Sequence, residues 1–251
     1  FRPVQSWECL YYHPEKKLFL SVYVDDLKLC GNACEVGPMW KQLGKHIAID
    51  PPVPSHTGVY LGCQQRNIVP DKDLVQQKQD IWKTLFANQA GGERDYANSS
   101  DVSMFEYDMC GHAAQCVERY CELAKIDAKT LKSTLTPNVD DHQIALDDFC
   151  EKGALSADAS KCVLKCLYCA RMGRPDVLWT VNVLAREVTR WNKACDKRLH
   201  KLICYINATR NMTIKSFVGD SPDKMKLALY VDASFAAETR ESKSTSGAIL
   251  C

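Results

Sequence analysis

Residues 18–29 alternate so regularly about two adjacent acids that an antiparallel ribbon is the one element the chain must contain. Leu18, Leu20, Val22 and Val24 are aliphatic, Phe19, Ser21 and Tyr23 take the other parity, and Leu27 and Leu29 resume the alternation after Asp25-Asp26. A period of two marks a strand. With Asp25 and Asp26 as the turn residues, Val24 faces Leu27 and Val22 faces Leu29, which keeps one side of the ribbon continuously apolar. Asp tolerates the positive φ that a two-residue turn commonly needs, and Gly31-Asn32 supplies a stop after the second strand. Both carboxylates are expected at an exposed apex.

Neighbouring carboxylates repel and destabilise a turn unless a cation neutralises them. Oxygen ligands on a rigid hairpin suit Mg²⁺, or Mn²⁺ in its place, which binds through a few carboxylates plus substrate phosphates. Such ions activate an attacking hydroxyl and neutralise a leaving pyrophosphate. Asp-Asp alone equally describes a solvated acidic turn; the Tyr23-Val24 context is what points to chemistry.

Composition excludes little. The chain has 251 residues, 46% hydrophobic and 25% charged, with a formal net charge of +1, enough for one large or two small cores. No global basic signature exists, so any attraction to nucleic acid must come from local clustering. Fourteen cysteines accompany no leader-like start and no long apolar run, which reads as reduced thiols in an intracellular setting, cytoplasm or nucleus, with no membrane association. Cys162, Cys166 and Cys169 fall at near-helical spacing and read as buried small hydrophobes. Cys110, His112, Cys116 and Cys121 form a loose cluster with the ligand types of a zinc site, weighed against incidental thiols in a loop.

Along the chain, residues 1–90 read as strand-rich with a helix, a turn at Pro51-Pro52-Val53-Pro54 before Val59-Tyr60-Leu61, and a helix over 76–86 with Ile81, Trp82 and Leu85 inward. Residues 91–158 read as an irregular insertion, with some helical character at 113–126, and 89–135 as surface sequence of no assigned role. Helical order returns over 159–210. Val163, Leu167 and Ala170 share a face before Gly173; Asp176 stands as an N-cap ahead of a Val177, Val181, Leu184, Val188, Trp191 stripe; Leu199, Leu202, Ile203 and Ile206 form the buried side of a third helix over 194–208. Lys193, Lys197, Arg198 and Lys201, with Arg186 and Arg190 nearby, suit a phosphate backbone or an ordinary solvated helix face. In 211–251, Leu227, Leu229 and Val231 alternate into Asp232, and 248–250 begin another strand.

The stretch 19–32, FLSVYVDDLKLCGN, resembles the palm hairpin of reverse transcriptases, and the rest of the chain resembles the Ty1/copia class of retrotransposon Pol polyprotein. Tyr60-Leu61-Gly62 is similar to a family strand, Arg174-Pro175-Asp176 to a family helix start, and Lys197-Arg198-Leu199 with Tyr205 and Thr209 to the helix after it. Val231 to Ala236, followed by Lys243-Ser244-Thr245-Ser246-Gly247, resembles the opening of an RNase H domain. The resemblance implies an α+β fold: a partial reverse-transcriptase palm with the YVDD β-hairpin (1–90), thumb or connection helices forming a small bundle (159–210), and the first strands of an RNase H-like fold (211–251). It implies RNA-directed DNA polymerase chemistry by two-metal nucleotidyl transfer. Asp25 and Asp26 would be catalytic and would bind Mg²⁺, Asp232 would bind the RNase H metal, and Tyr23 would line the primer side. Partners would be an RNA template, a DNA primer, deoxynucleoside triphosphates and the remaining Pol segments. Glu8 and Glu15 are the only acids ahead of residue 18 and neither sits in a family-like strand, so both active sites are expected to be incomplete and the chain inactive in isolation. The alternative is a non-catalytic nucleic-acid-binding or decayed retroelement remnant. Arg174 is expected to pair locally with Asp176 and carries no catalytic assignment.

Overall fold

A computed structural model describes residues 1–86, 102–219, 229–235 and 244–250, and these form an α+β protein with antiparallel sheets. The chain divides into two compact units, residues 1–66 and 67–251.

The first unit is an antiparallel meander of β1 (Arg2–Val4), β2 (Trp7–His13), β3 (Leu18–Tyr23) and β4 (Asp26–Gly31), in that spatial order. Leu18 and Leu20 are buried beneath it with Met39 and Cys63. Gly31 is where the chain needs glycine. Its φ is +139°, and a Cβ there would lie 2.2 Å from the Lys17 carbonyl oxygen, so no other residue lets β4 close against the β2–β3 turn. Asn32 then both ends the strand and caps α1 (Ala33–Leu43), its side chain accepting from Cys34 N at 3.3 Å. Helix α1 packs on β4.

The next hairpin corrects an expectation. Tyr60-Leu61-Gly62 is not a strand: β5 is only Val59–Tyr60, it pairs with β6 (Cys63–Ile68), and Leu61 (φ +51°) and Gly62 (φ +73°) make the turn. Positive φ at both central residues is the type I′ requirement.

The second unit begins with α2 (Lys72–Phe86). Val75 is buried whereas Ile81, expected inward, is 44% exposed; the side chains of Trp82 and Leu85 lie outside the described ones. Residues 103–126, read from sequence within an irregular insertion, are instead part of the core. They form β7 (Ser103–Asp108) and α3 (Cys110–Ala124), and Ala113, Cys116, Val117 and Tyr120 are buried. Three short 3₁₀ turns between 128 and 149 precede α4 (Ala159–Gly173), α5 (Leu178–Arg186) and α6 (Lys193–Ala208). Helices α3, α4, α5 and α6 pack together, and the apolar stripes seen in sequence point inward: Val163, Val181, Leu184, Leu199, Leu202 and Ile203 are completely buried. Helix α5 stops at Arg186, short of Val188 and Trp191, although Trp191 is buried just beyond it. The Tyr120 hydroxyl and His200 Nδ1, 2.8 Å apart, join α3 to α6.

The seam between the α4 threshold and α6 is closed by one carboxylate. Asp196 accepts from Ala154 N (2.5 Å), Leu155 N (3.3 Å) and Trp191 Nε1 (2.7 Å). Beyond α6, β8 (Ile214–Val218) pairs antiparallel with β7, and β9 (Leu229–Ser234) with β10 (Thr245–Leu250). Leu227 lies outside the described residues.

Candidate functional site

Strands β3 and β4 form the expected ribbon with its turn displaced by one residue. The paired residues are Tyr23 with Asp26, Val22 with Leu27 and Leu20 with Leu29, so Val24 and Asp25, rather than Asp25 and Asp26, are the turn residues. The reason lies in the backbone: Val24 takes φ +55°, a value β-branched residues seldom adopt, and that starts the chain reversal one residue ahead of the Asp-Asp pair. Because the displacement changes the pairing by two positions, strand parity is kept. Leu18, Leu20, Val22, Leu27 and Leu29 still share one face, and Tyr23, Asp26 and Lys28 share the other.

Asp25 is exposed in the turn and Asp26 is exposed as the first residue of β4. Tyr23, directly opposite Asp26, is 58% exposed. The apex thus offers solvent two adjacent carboxylates flanked by a phenol. Farther down the same ribbon the side chains are engaged: Ser21 Oγ and Tyr60 Oη are 3.2 Å apart, and Lys28 Nζ donates to Gln65 Oε1 at 2.5 Å and lies 5.2 Å from the Tyr60 ring centre. Burial lowers the pKa of Lys28, overriding the nearby thiols of Cys30 and Cys63. Among the described residues, no three His, Cys, Asp or Glu side chains are gathered to hold a metal by themselves. The dyad fits a Mg²⁺ ion only in the manner of a two-carboxylate site, with waters and substrate phosphates completing the shell.

The basic residues of α6 are placed on one side of the bundle, where an acidic segment already meets them. Lys197 pairs with Asp148, Lys193 with Glu151 (2.9 Å) and Asp148 (3.3 Å), and Arg198 with Asp141 while lying 5.5 Å from the Phe149 ring. The Asp148 side chain is 5% exposed; hydrogen bonds from Lys197 and then Lys193 overcome burial to hold its carboxyl below the usual range. Arg198 is itself buried. Lys201 is half-buried and has no carboxylate partner among the described residues. Sequence reading picked out the cations and passed over Asp141, Asp148 and Glu151, although the acidic run 140–151 was there to be matched with them.

Asp232 sits in the middle of β9 rather than at its end, exposed and opposite Gly247. Among the described residues, no group of three His, Cys, Asp or Glu side chains forms around it.

Arg174 behaves as its spacing from Asp176 suggests. Its side chain is 3% exposed, Nε donates to Asp176 Oδ1 (2.9 Å) and Nη2 to Oδ2 (2.8 Å). Nη1 and Nη2 donate to Thr209 O (3.0 Å) and Oγ1 (2.7 Å). Asp176 is therefore not the N-cap of α5. It lies in a 3₁₀ turn, Pro175–Val177, with its carboxylate committed to the guanidinium.

The cysteines also resolve. Cys162, Cys166 and Cys169 are buried in α4 as expected, whereas Cys110, His112, Cys116 and Cys121 lie on helix α3 rather than in a loop. No helix among the described residues is long and apolar enough to cross a membrane. No family model, curated protein or solved structure matches the chain.

Proposed function

We propose that the chain is the C-terminal palm, connection helices and first RNase H strands of a Ty1/copia-type reverse transcriptase, and that its β3–β4 apex contributes two carboxylates to nucleotidyl transfer. The observation that carries this reading is the apex itself: Asp25 and Asp26, both exposed, at the reversal of a ribbon whose other face is aliphatic.

In this reading a bound Mg²⁺ pair would lower the pKa of a primer 3′-hydroxyl and neutralise the pyrophosphate that leaves the incoming nucleotide. Asp25 and Asp26 would hold that charge in place. Tyr23, paired across from Asp26, would border the primer end. The aliphatic face fixes the ribbon, so the two acids are presented without a reorganisation cost, which is how electrostatic positioning contributes most. Pairing of Lys193, Lys197 and Arg198 with carboxylates means that a template–primer backbone would reach those cations only by displacing the acidic segment.

The test reads metal binding directly and needs no turnover. Mn²⁺ titrated into the full chain is expected to broaden amide signals of residues 24–27 first, and Asp25→Asn or Asp26→Asn to weaken that effect by about tenfold or more. Broadening centred elsewhere, or unchanged in both variants, refutes the assignment.

A further inference from the structure

Helices α3 and α6 bring a thiol, an imidazole and a phenol together at a pocket that nucleotide chemistry does not use. His200 and Cys204 lie one turn apart on α6, and Cys204 Sγ is 3.5 Å from His200 Nε2. The other ring nitrogen, Nδ1, is 2.8 Å from the hydroxyl of Tyr120 on α3. All three residues line a pocket of about 570 Å³, walled otherwise by α6 and the segment 132–139, a size that suits a small molecule. His200 is exposed, and Cys204, although only 4% exposed, forms part of the pocket wall. A molecule filling the pocket therefore lies against the thiol.

A cysteine on the inner face of a helix is commonly plain packing. Cys204 differs in having a base on its sulfur and a cavity beside it, the surroundings of a reactive thiol. In the tautomer with Nδ1–H on the phenol oxygen, Nε2 accepts from the Cys204 S–H. Burial pushes the Tyr120 pKa up, so the phenol keeps its own proton and serves the ring as an acceptor. Burial also raises the Cys204 pKa, against lowering by the Lys132 backbone and the Lys201 charge, so the thiol stays protonated until the imidazole takes that proton. The pocket is selective in charge as well. Lys132, Lys197 and Lys201 line it with one carboxylate, Asp196; Asp196 is engaged by its three donors and Lys197 by Asp148. Lys132 and Lys201 have no carboxylate partner among the described residues, which leaves the pocket attractive to an anion.

We infer that Cys204 is a thiol-exchange site, which takes up a small carboxylate-bearing disulfide, of the class of oxidised glutathione, as a mixed disulfide. His200 Nε2 accepts the Cys204 proton as Sγ attacks one sulfur of the incoming disulfide. The new S–S bond forms as the old one breaks, and the departing thiolate takes the proton from the imidazolium and leaves as a thiol. Cys204 is oxidised to the level of a disulfide and the departing sulfur is reduced to a thiol, so atoms, protons and electrons balance with no other reactant. The carboxylates of the ligand meet Lys132 and Lys201, the two uncommitted cations of the pocket. The inference is independent of the polymerase reading.

Incubating the reduced full chain with oxidised glutathione, quenching with an alkylating agent under denaturing conditions and mapping tryptic peptides without reduction tests it. Cys204 is the sole cysteine of peptide 202–210 and Cys195 that of peptide 194–197, and Cys195 is 0% exposed on the same helix. In the folded wild type, a comparison that needs no variant, Cys204 should react at least about tenfold faster than Cys195. His200→Gln, at an exposed position, should slow Cys204 by about tenfold or more and leave exposed Cys34 unaffected. Measured relative to Cys34, Cys204 should prefer oxidised glutathione to uncharged hydroxyethyl disulfide. Lys132→Gln/Lys201→Gln should remove that preference, whereas Tyr120→Phe should slow both reagents and keep it. The idea is overturned if Cys204 reacts no faster than Cys195, if His200→Gln reacts at the wild-type rate, or if the preference for the charged reagent is absent or survives loss of both lysines.

Discussion

Arg174→Met removes the guanidinium that joins the start of α5 to the end of α6 while leaving a side chain of similar reach in its place. Four groups lose a partner: both Asp176 oxygens and the Thr209 carbonyl and hydroxyl, at 2.9, 2.8, 3.0 and 2.7 Å respectively. Breaking one half of a buried pair costs about 3–5 kcal/mol. The Asp176 side chain is 31% exposed, so water recovers part of that, and about 2–3 kcal/mol is the expected net loss. Urea unfolding followed through the fluorescence of Trp179 and Trp191 measures it. The double variant Arg174→Met/Asp176→Leu should recover most of the loss, since neither charge is then stranded. A single-variant cost below about 1 kcal/mol, or strict additivity in the cycle, would refute the reasoning. The pH dependence has a definite sign. Burial pushes the Asp176 carboxyl up, but the hydrogen bonds and charge of Arg174 outweigh it and the net shift is downward. A depressed carboxyl contributes stability that is present above its unfolded pKa, about 4, and is lost as the pH falls through the lower native value. The wild type should therefore lose stability more steeply than Arg174→Met below about pH 4.

Gly31→Ala places a Cβ 2.2 Å from the Lys17 carbonyl at φ +139° and is expected to cost about 2 kcal/mol or more. Hydrogen exchange should show it as lost protection in β3 and β4, and wild-type protection there would contradict the assigned backbone. Asp148→Asn releases Lys193 and Lys197 from their shared carboxylate. If the α6 face meets phosphates, binding to a primed template should tighten and its log–log salt slope should steepen by about 1–2; an unchanged slope would remove these lysines from the interface.

Features set by local periodicity were legible in the chain. The ribbon, the inward stripes Val177–Val181–Leu184 and Leu199–Leu202–Ile203–Ile206, and the Arg174–Asp176 pair all follow from spacings of two, three or four residues. What failed depended on distant partners or on backbone conformation. Strand β7 read as polar surface because its pairing partner β8 lies more than a hundred residues on, as Ser103 with Val218 shows; the helical character of 113–126 was legible, but its burial in the core as α3 was not. The turn was misplaced by one because Asp-Asp looked like better turn chemistry than Val-Asp, whereas the ribbon accepts a strained Val24. Parity survived, which is why both acids still emerge at the apex. The basic face of α6 was legible as charge but not as pairing, since its carboxylates come from a stretch about fifty residues earlier, as in Lys197 with Asp148.

Asp196 gathers donors from both sides of a forty-two-residue separation, and that gives the bundle a shared hinge pin. The connection ahead of α4 and the one ahead of α6 are coupled, because both place donors on the same carboxylate. Damage at either corner is thus felt at the other, and the starts of α4 and α6 share one point of failure.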